Sequence, residues 1–226
     1  MKKLYILIIP IIFASCTANQ KIAYKTNDIQ AAPRSIPISV CIKELSDIRQ
    51  DGSENSLLFE ENRVYKGALQ KLCINSEKHY KNETVTLQVS RQIAEHFQKA
   101  NLFNKTTFED DSQIDYYITG KLSYFYGVQD FSNAAATGRA FGLIGALATM
   151  NTKSNAEIII EIKDIALYDK DGVLVKEIGD FRKDYSGELR VDADCWCIYN
   201  NINDKLKEFN DDLMELIRTE LQNANY

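Results

Sequence analysis

Apolar and polar residues alternate along this chain with two different periods, and the periods divide it into elements. In 36–45, Ile38, Val40 and Ile42 recur at every second position, the spacing of a strand with one buried face. Residues 46–83 lose that order. They scatter Leu57, Leu58, Val64, Tyr65, Leu69 and Leu72 among charges, and read as an irregular insertion with a short helix near 64–73. The period then lengthens. Val85, Val89, Ile93 and Phe97 form one stripe, which predicts a helix over 84–101 with Thr84 as cap and Asn101 as stop. Leu102 and Phe103 follow as docking residues, and Glu109-Asp110-Asp111-Ser112 as a turn.

A long strand is predicted from Ile114. Tyr116, Ile118, Leu122, Tyr124 and Tyr126 are expected on one face, with Gly120 marking a bulge or a close contact. Residues 156–168 read as another strand, and Asp169-Lys170-Asp171-Gly172 as a hairpin turn into 173–178. The apolar phase changes near Lys163 and Asp164, which predicts a bulge in the first arm. Residues 181–191 read as a further strand or edge. Finally Ile202, Leu206, Phe209, Leu213, Leu216, Ile217 and Leu221 step by one, three or four, the signature of an amphipathic helix. No internal repeat or low-complexity block divides the chain. The expected fold is a single α+β domain over 36–226: a mostly antiparallel sheet with two amphipathic helices packed on one face.

The first sixteen residues carry an address. Lys2 and Lys3 give a positive head, residues 4–13 are apolar apart from Pro10, and Ala14 and Ser15 place small side chains before Cys16. This is the layout of a secretory signal over 1–15. Ten apolar residues span about 15 Å as a helix, half the hydrocarbon thickness, so a membrane-crossing anchor is disfavoured. The cysteine at the cut resembles the lipobox of bacterial lipoproteins. That resemblance implies diacylglycerol and fatty acid (palmitate) on Cys16, and Thr17 in place of Asp implies sorting to the outer membrane. Residues 16–35 then act as a polar tether.

Composition agrees with a folded body outside the cytoplasm. The chain has 226 residues with 45% hydrophobic and 26% charged, ordinary globular values. Net charge is −5, and −7 once Lys2 and Lys3 leave, which argues against nucleic acid and gives no attraction to anionic lipid. Apart from Cys16, four cysteines remain: Cys41, Cys73, Cys195 and Cys197. Direct closure of Cys195 to Cys197 makes a very small ring, so a disulfide from that pair to Cys41 or Cys73 is expected. A Cys41–Cys73 bridge and buried thiols stay open. So does a four-thiolate zinc site, although the C-x-C spacing departs from the usual C-x₂-C.

Candidate chemistry is sparse. Neither histidine, His79 or His96, sits in a metal or catalytic motif, and both are expected in surface or boundary roles. Gly138, Gly142 and Gly145 follow the pattern G-x-x-x-G-x-x-G, which is not a dinucleotide loop. The carboxylate pairs Asp110/Asp111 and Asp192/Asp194 read as solvated turns, with acid–base work by an envelope hydrolase as the alternative. Tyr117 and Phe125 are expected on the outward face of the long strand, either covered by a loop or exposed, where rings can take a glycan or a protein. The sharpest candidate is the insertion 131–153. Its small residues allow close approach, and Phe141, Gly142, Leu143, Ile144 and Leu147 form an apolar flank that either packs on its own domain or meets a partner or lipid.

Laid out in order, these features resemble small envelope lipoproteins built on the TolB N-terminal-like α/β module, including auxiliary lipoproteins of envelope transport systems. The features that carry the resemblance are the lipobox at Cys16, the first strand, and a helix ending in Asn101-Leu102-Phe103. The strand from Ile114 through Gly120, the Gly-rich insertion, the Asp169 to Gly172 hairpin and the long C-terminal helix complete it. The insertion 46–83 and Cys195-Trp196-Cys197 depart from it. The resemblance implies a non-enzymatic component without catalytic residues, metal or other cofactor. It also implies a membrane held through the lipid, an envelope protein partner and a domain facing the periplasm.

Overall fold

The computed structural model describes residues 28–49, 70–74, 83–109, 113–130, 153–191 and 195–222. Seven strands and two helices lie among them. They are β1 (Ile36–Ile42), β2 (Ser46–Asp47), β3 (Gln70–Ile74), α1 (Val85–Lys99), β4 (Phe103–Thr107), β5 (Tyr116–Asp130), β6 (Lys153–Asp169), β7 (Leu174–Arg190) and α2 (Trp196–Gln222).

The α+β class holds, but the sheet is mixed rather than mostly antiparallel. Its order is β4-β1-β5-β6-β7. β1 runs parallel to both β4 and β5, and β2 parallel to β5, whereas β5, β6 and β7 are antiparallel neighbours. The reason lies between β1 and β4. A chain that leaves one strand and returns to its neighbour through a helix re-enters in the original direction, and α1 is that helix. Alternation within a strand reports burial and is blind to the direction of its neighbour.

The insertion 46–83 is also more regular than expected. β2 and β3 both pair with β5, so β1, β2 and β3 line successive stretches of one side of it. Leu72 and Cys73 stand on strand β3 rather than on a helix.

Both helices follow their stripes. Thr84 caps α1, its Oγ1 accepting from the Leu87 N–H at 3.2 Å and donating to Glu44 Oε1 at 2.9 Å. Asn101 ends it with φ of 54°. Val85, Val89, Ile93 and Phe97 are buried, as are Ile202, Leu206, Phe209, Leu213, Ile217 and Leu221 on α2. These residues share one apolar cluster with Val40, Ile118, Leu122, Phe125, Ile158, Ile160 and Ile162. α1 packs on β1 and β4, and α2 on β5, β6 and β7.

The face pattern of β5 changes midway. Register slips between Thr119 and Lys121, and again between Leu122 and Tyr124. Ile118 and Leu122 point into the helix-bearing cluster, but beyond the slips Phe125 takes over that face. Tyr124 and Tyr126 join Val128 and Ile159 in a separate cluster. A bulge adds one residue to one strand, so every later side chain changes sides. Tyr124 and Tyr126 therefore do not share a face with Ile118, and Phe125 is fully buried rather than outward. Gly120 marks a close approach as expected: a β-carbon there would lie 2.8 Å from Ile162 Cγ2.

Candidate docking surface

The β6–β7 hairpin builds the largest open edge among the described strands, since β7 is bonded to β6 alone. Its turn forms at Asp169 to Gly172. The Gly172 N–H donates to the Asp169 carbonyl at 3.0 Å, and Asp169 Oδ1 accepts from the N–H groups of Asp171 and Val173 at 2.9 Å. Gly172 adopts φ of 81°, a conformation that excludes most side chains. The bulge expected near Lys163 and Asp164 is present: register shifts between Ile162 and Ile165, and Asp164 has φ of 52°. Asp180 Oδ1 accepts the Asp164 N–H at 2.9 Å. What reads in sequence as two short return strands is one strand, bent at Gly179 with φ of 98°.

From Phe181 to Arg190 the ladder with β6 is regular, and the two faces of β7 differ. Phe181, Lys183 and Tyr185 belong to the helix side: Phe181 stacks on Phe209 at 4.9 Å, Lys183 pairs with Asp212 at 2.8 Å, and Lys205 lies over the Tyr185 ring. Burial and the carboxylates Glu208, Asp212 and Asp211 push the Tyr185 hydroxyl well above the usual phenol range. Arg182, opposite Glu161, belongs to the other face. Its guanidinium stacks on Tyr124 at 4.9 Å, pairs with Asp184 at 3.0 Å, and stands 3.9 Å from Glu161. Glu161 is buried, held by the Ser123 hydroxyl and by Lys163 at 3.7 Å. Past this group, Asp180, Asp184, Ser186, Glu188 and Arg190 are exposed along the edge. Sequence reasoning passed over this charged row. Its signal was the run of charges at 180, 182, 184, 188 and 190, a period of two interrupted only by Ser186.

The sulfur chemistry resolves into one bridge. Cys73 is bonded to Cys195, with Cα atoms 5.7 Å apart and a sequence separation of 122. Cys73 stands on β3 opposite Gly127, and the Cys195 carbonyl accepts the Tyr199 N–H at the start of α2. Cys41 and Cys197 are buried thiols outside that bridge, and the Cys41 Sγ lies 3.6 Å from the Phe108 carbonyl.

The other candidates separate clearly. Cys16, the flank Phe141, Gly142, Leu143, Ile144 and Leu147, the pairs Asp110/Asp111 and Asp192/Asp194, and His79 lie outside the described residues. Tyr117 is half-buried, with Lys43 Nζ 4.4 Å from its ring centre. Phe125, its expected companion, is in the core, so the two rings do not form an aromatic platform. His96 is not at the surface: its side chain is fully buried between the helices, with Nε2 2.8 Å from Asp211 Oδ1. Burial holds its pKa below the usual imidazole value, Lys207 adds to that shift, and Asp211 opposes it. Among the described residues no group of three metal-ligating side chains occurs, and no helix is long and apolar enough to cross a membrane.

No protein-family model and no curated protein matches the chain. Among solved structures, it is similar to the crystal structure of protein XCC0632 from Xanthomonas campestris, family-model DUF330. The TM-score is 0.47 and the sequence identity 10%, over 88% of this chain and 95% of that chain.

Proposed function

We propose that this protein is a lipid-anchored component of the bacterial cell envelope, whose α+β body binds or assembles with other proteins rather than catalysing a reaction. The observation that carries this reading is the leader: a dibasic head, a ten-residue apolar run, and Ala14-Ser15 before Cys16. Acyl chains on Cys16 hold the acidic body at the outer membrane facing the periplasm, each buried methylene adding about 0.8 kcal/mol. Residues 17–27 give it reach, and the rest of the tether expected from the sequence is docked: Ile29 and Ala32 pack on the apolar cluster, and the Ala32 N–H donates to the Ala100 carbonyl at 2.7 Å. A disulfide between Cys73 and Cys195 fits an oxidising compartment.

In this reading both helices cover one face of the sheet, supported by their shared apolar cluster and the His96–Asp211 contact. The β7 edge and the flank at 141–147 are the docking surfaces. An exposed edge offers a row of unpaired N–H and C=O groups to an incoming strand.

The test is chemical. Cells fed an alkyne fatty acid label the wild-type protein, mass spectrometry finds the mature chain beginning at an acylated Cys16, and Cys16→Ala abolishes both label and membrane retention. A mature chain starting elsewhere, or carrying no fatty acid, overturns the reading. Cross-linking in intact cells then identifies neighbours, and Phe141→Asp with Gly142→Asp should release those held by the 141–147 flank.

A further inference from the structure

We propose that the β7 edge is completed by a second copy of this chain, pairing antiparallel about a two-fold axis through Tyr185. This concerns the edge named above and supplies its occupant, so it rests on that reading of β7 as a docking surface but not on the lipid.

The argument is charge complementarity. Side chains directly opposite in an antiparallel pair share a face, and opposite charges there attract while like charges repel. With Tyr185 on the axis, residue n meets residue 370 − n of the other copy. Asp180 then faces the partner's Arg190, Arg182 faces the partner's Glu188, and Asp184 faces the partner's Ser186. Symmetry makes each contact occur twice, as an isologous interface requires. On the helix side Phe181 meets the partner's Leu189, joining two residues that are already packed against the apolar cluster. Lys183 meets the partner's Gly187, where a β-carbon would have open space around it.

Neighbouring axes fail. An axis at Asp184 sets Asp180 against Glu188, and one at Ser186 sets Arg182 against Arg190. An axis at Lys183 brings that ammonium against its own copy. The favoured register also falls on the regular part of the strand, beyond the bulge at Asp164, where β7 pairs with β6 from Phe181 to Arg190. Charges on an edge strand ordinarily keep other strands away. This row repels itself about the axes at Asp184 and Ser186, makes one opposite-charge match (Asp184 with Arg190) about Gly187 and two about Tyr185, so it favours a copy of the same chain in the Tyr185 register.

Sedimentation of the full-length protein in density-matched detergent tests this across a concentration series. The wild type should form dimers. Glu188→Arg, facing Arg182, should weaken self-association about tenfold with unchanged melting temperature, and Arg190→Glu, facing Asp180, should weaken it to a similar degree. Asp180→Arg combined with Arg190→Glu restores the attraction and should restore the dimer. Tyr185→Cys should oxidise to a covalent dimer, while Asp171→Cys at the hairpin tip should not. A wild type that stays monomeric, or a Glu188→Arg variant that dimerises as well as the wild type, overturns the proposal. Cys16→Ala separates the two readings: loss of the lipid alone removes the anchor and leaves the paired edge.

Discussion

Ile198 occupies the space that a side chain at Gly127 would need. The first methyl of such a side chain would run into Ile198 Cγ2 and stand 3.3 Å from the Glu157 carbonyl. Gly127 lies beside Cys73 in the β3–β5 ladder, and Ile198 is three residues into α2, behind Cys195. The glycine therefore lets the start of the long helix settle on the sheet where the disulfide also holds it. Gly127→Ala should destabilise the fold by about 1–3 kcal/mol through overpacking, read by chemical denaturation. Gly187→Ala, with open space around its β-carbon, is the comparison and should change stability little.

The bridge itself closes 122 positions of chain. Long loops lose most entropy on cross-linking, so Cys73→Ser should lower stability by about 2–5 kcal/mol. Reductant should produce the same loss in the wild type and no further loss in the variant. Denaturant midpoints with and without dithiothreitol check this.

His96 makes the body sensitive to acid. Its native pKa lies below the ordinary 6.5 because the ring is buried and stays neutral between the helices. Below about pH 6.5 the unfolded chain takes up a proton that the native state refuses, so stability falls as pH drops. The contribution is complete above the unfolded pKa and is lost on the way down toward the native one. Unfolding free energies measured between pH 7.5 and 5 should decline, and His96→Gln should flatten that slope even where it lowers stability overall.

Thr84 caps α1 and also ties it to the β1–β2 connection through Glu44. Thr84→Ala should cost about 1 kcal/mol, and Thr84→Ser should recover most of it. Thermal melts of the two variants give the answer.

Local chemistry was legible in the order of residues. The stripe from Val85 to Phe97, the stop at Asn101, the turn at Asp169 to Gly172 and the bulge at Lys163 and Asp164 each depend on residues within one or two turns of one another. Their energies are decided by neighbours in sequence, so a pattern along the chain reports them. Gly120 was legible for the same reason, as a residue whose missing side chain implies a close neighbour.

Distant partners were not written in any such pattern. Parallel pairing of β1 with β4 and β5 depends on the path of α1, and the same alternation of Ile38, Val40 and Ile42 serves either direction. One slip in β5 moved Phe125 into the core and Tyr124 and Tyr126 to the opposite side, because a pleat of period two reverses with each added residue. Choosing Cys73 over Cys41 for Cys195 required β3 to lie beside Gly127. The burial of His96 required α2 to cross it. By itself the sequence determined helices and turns; only the tertiary structure decided which faces meet, since burial is set by residues far away along the chain.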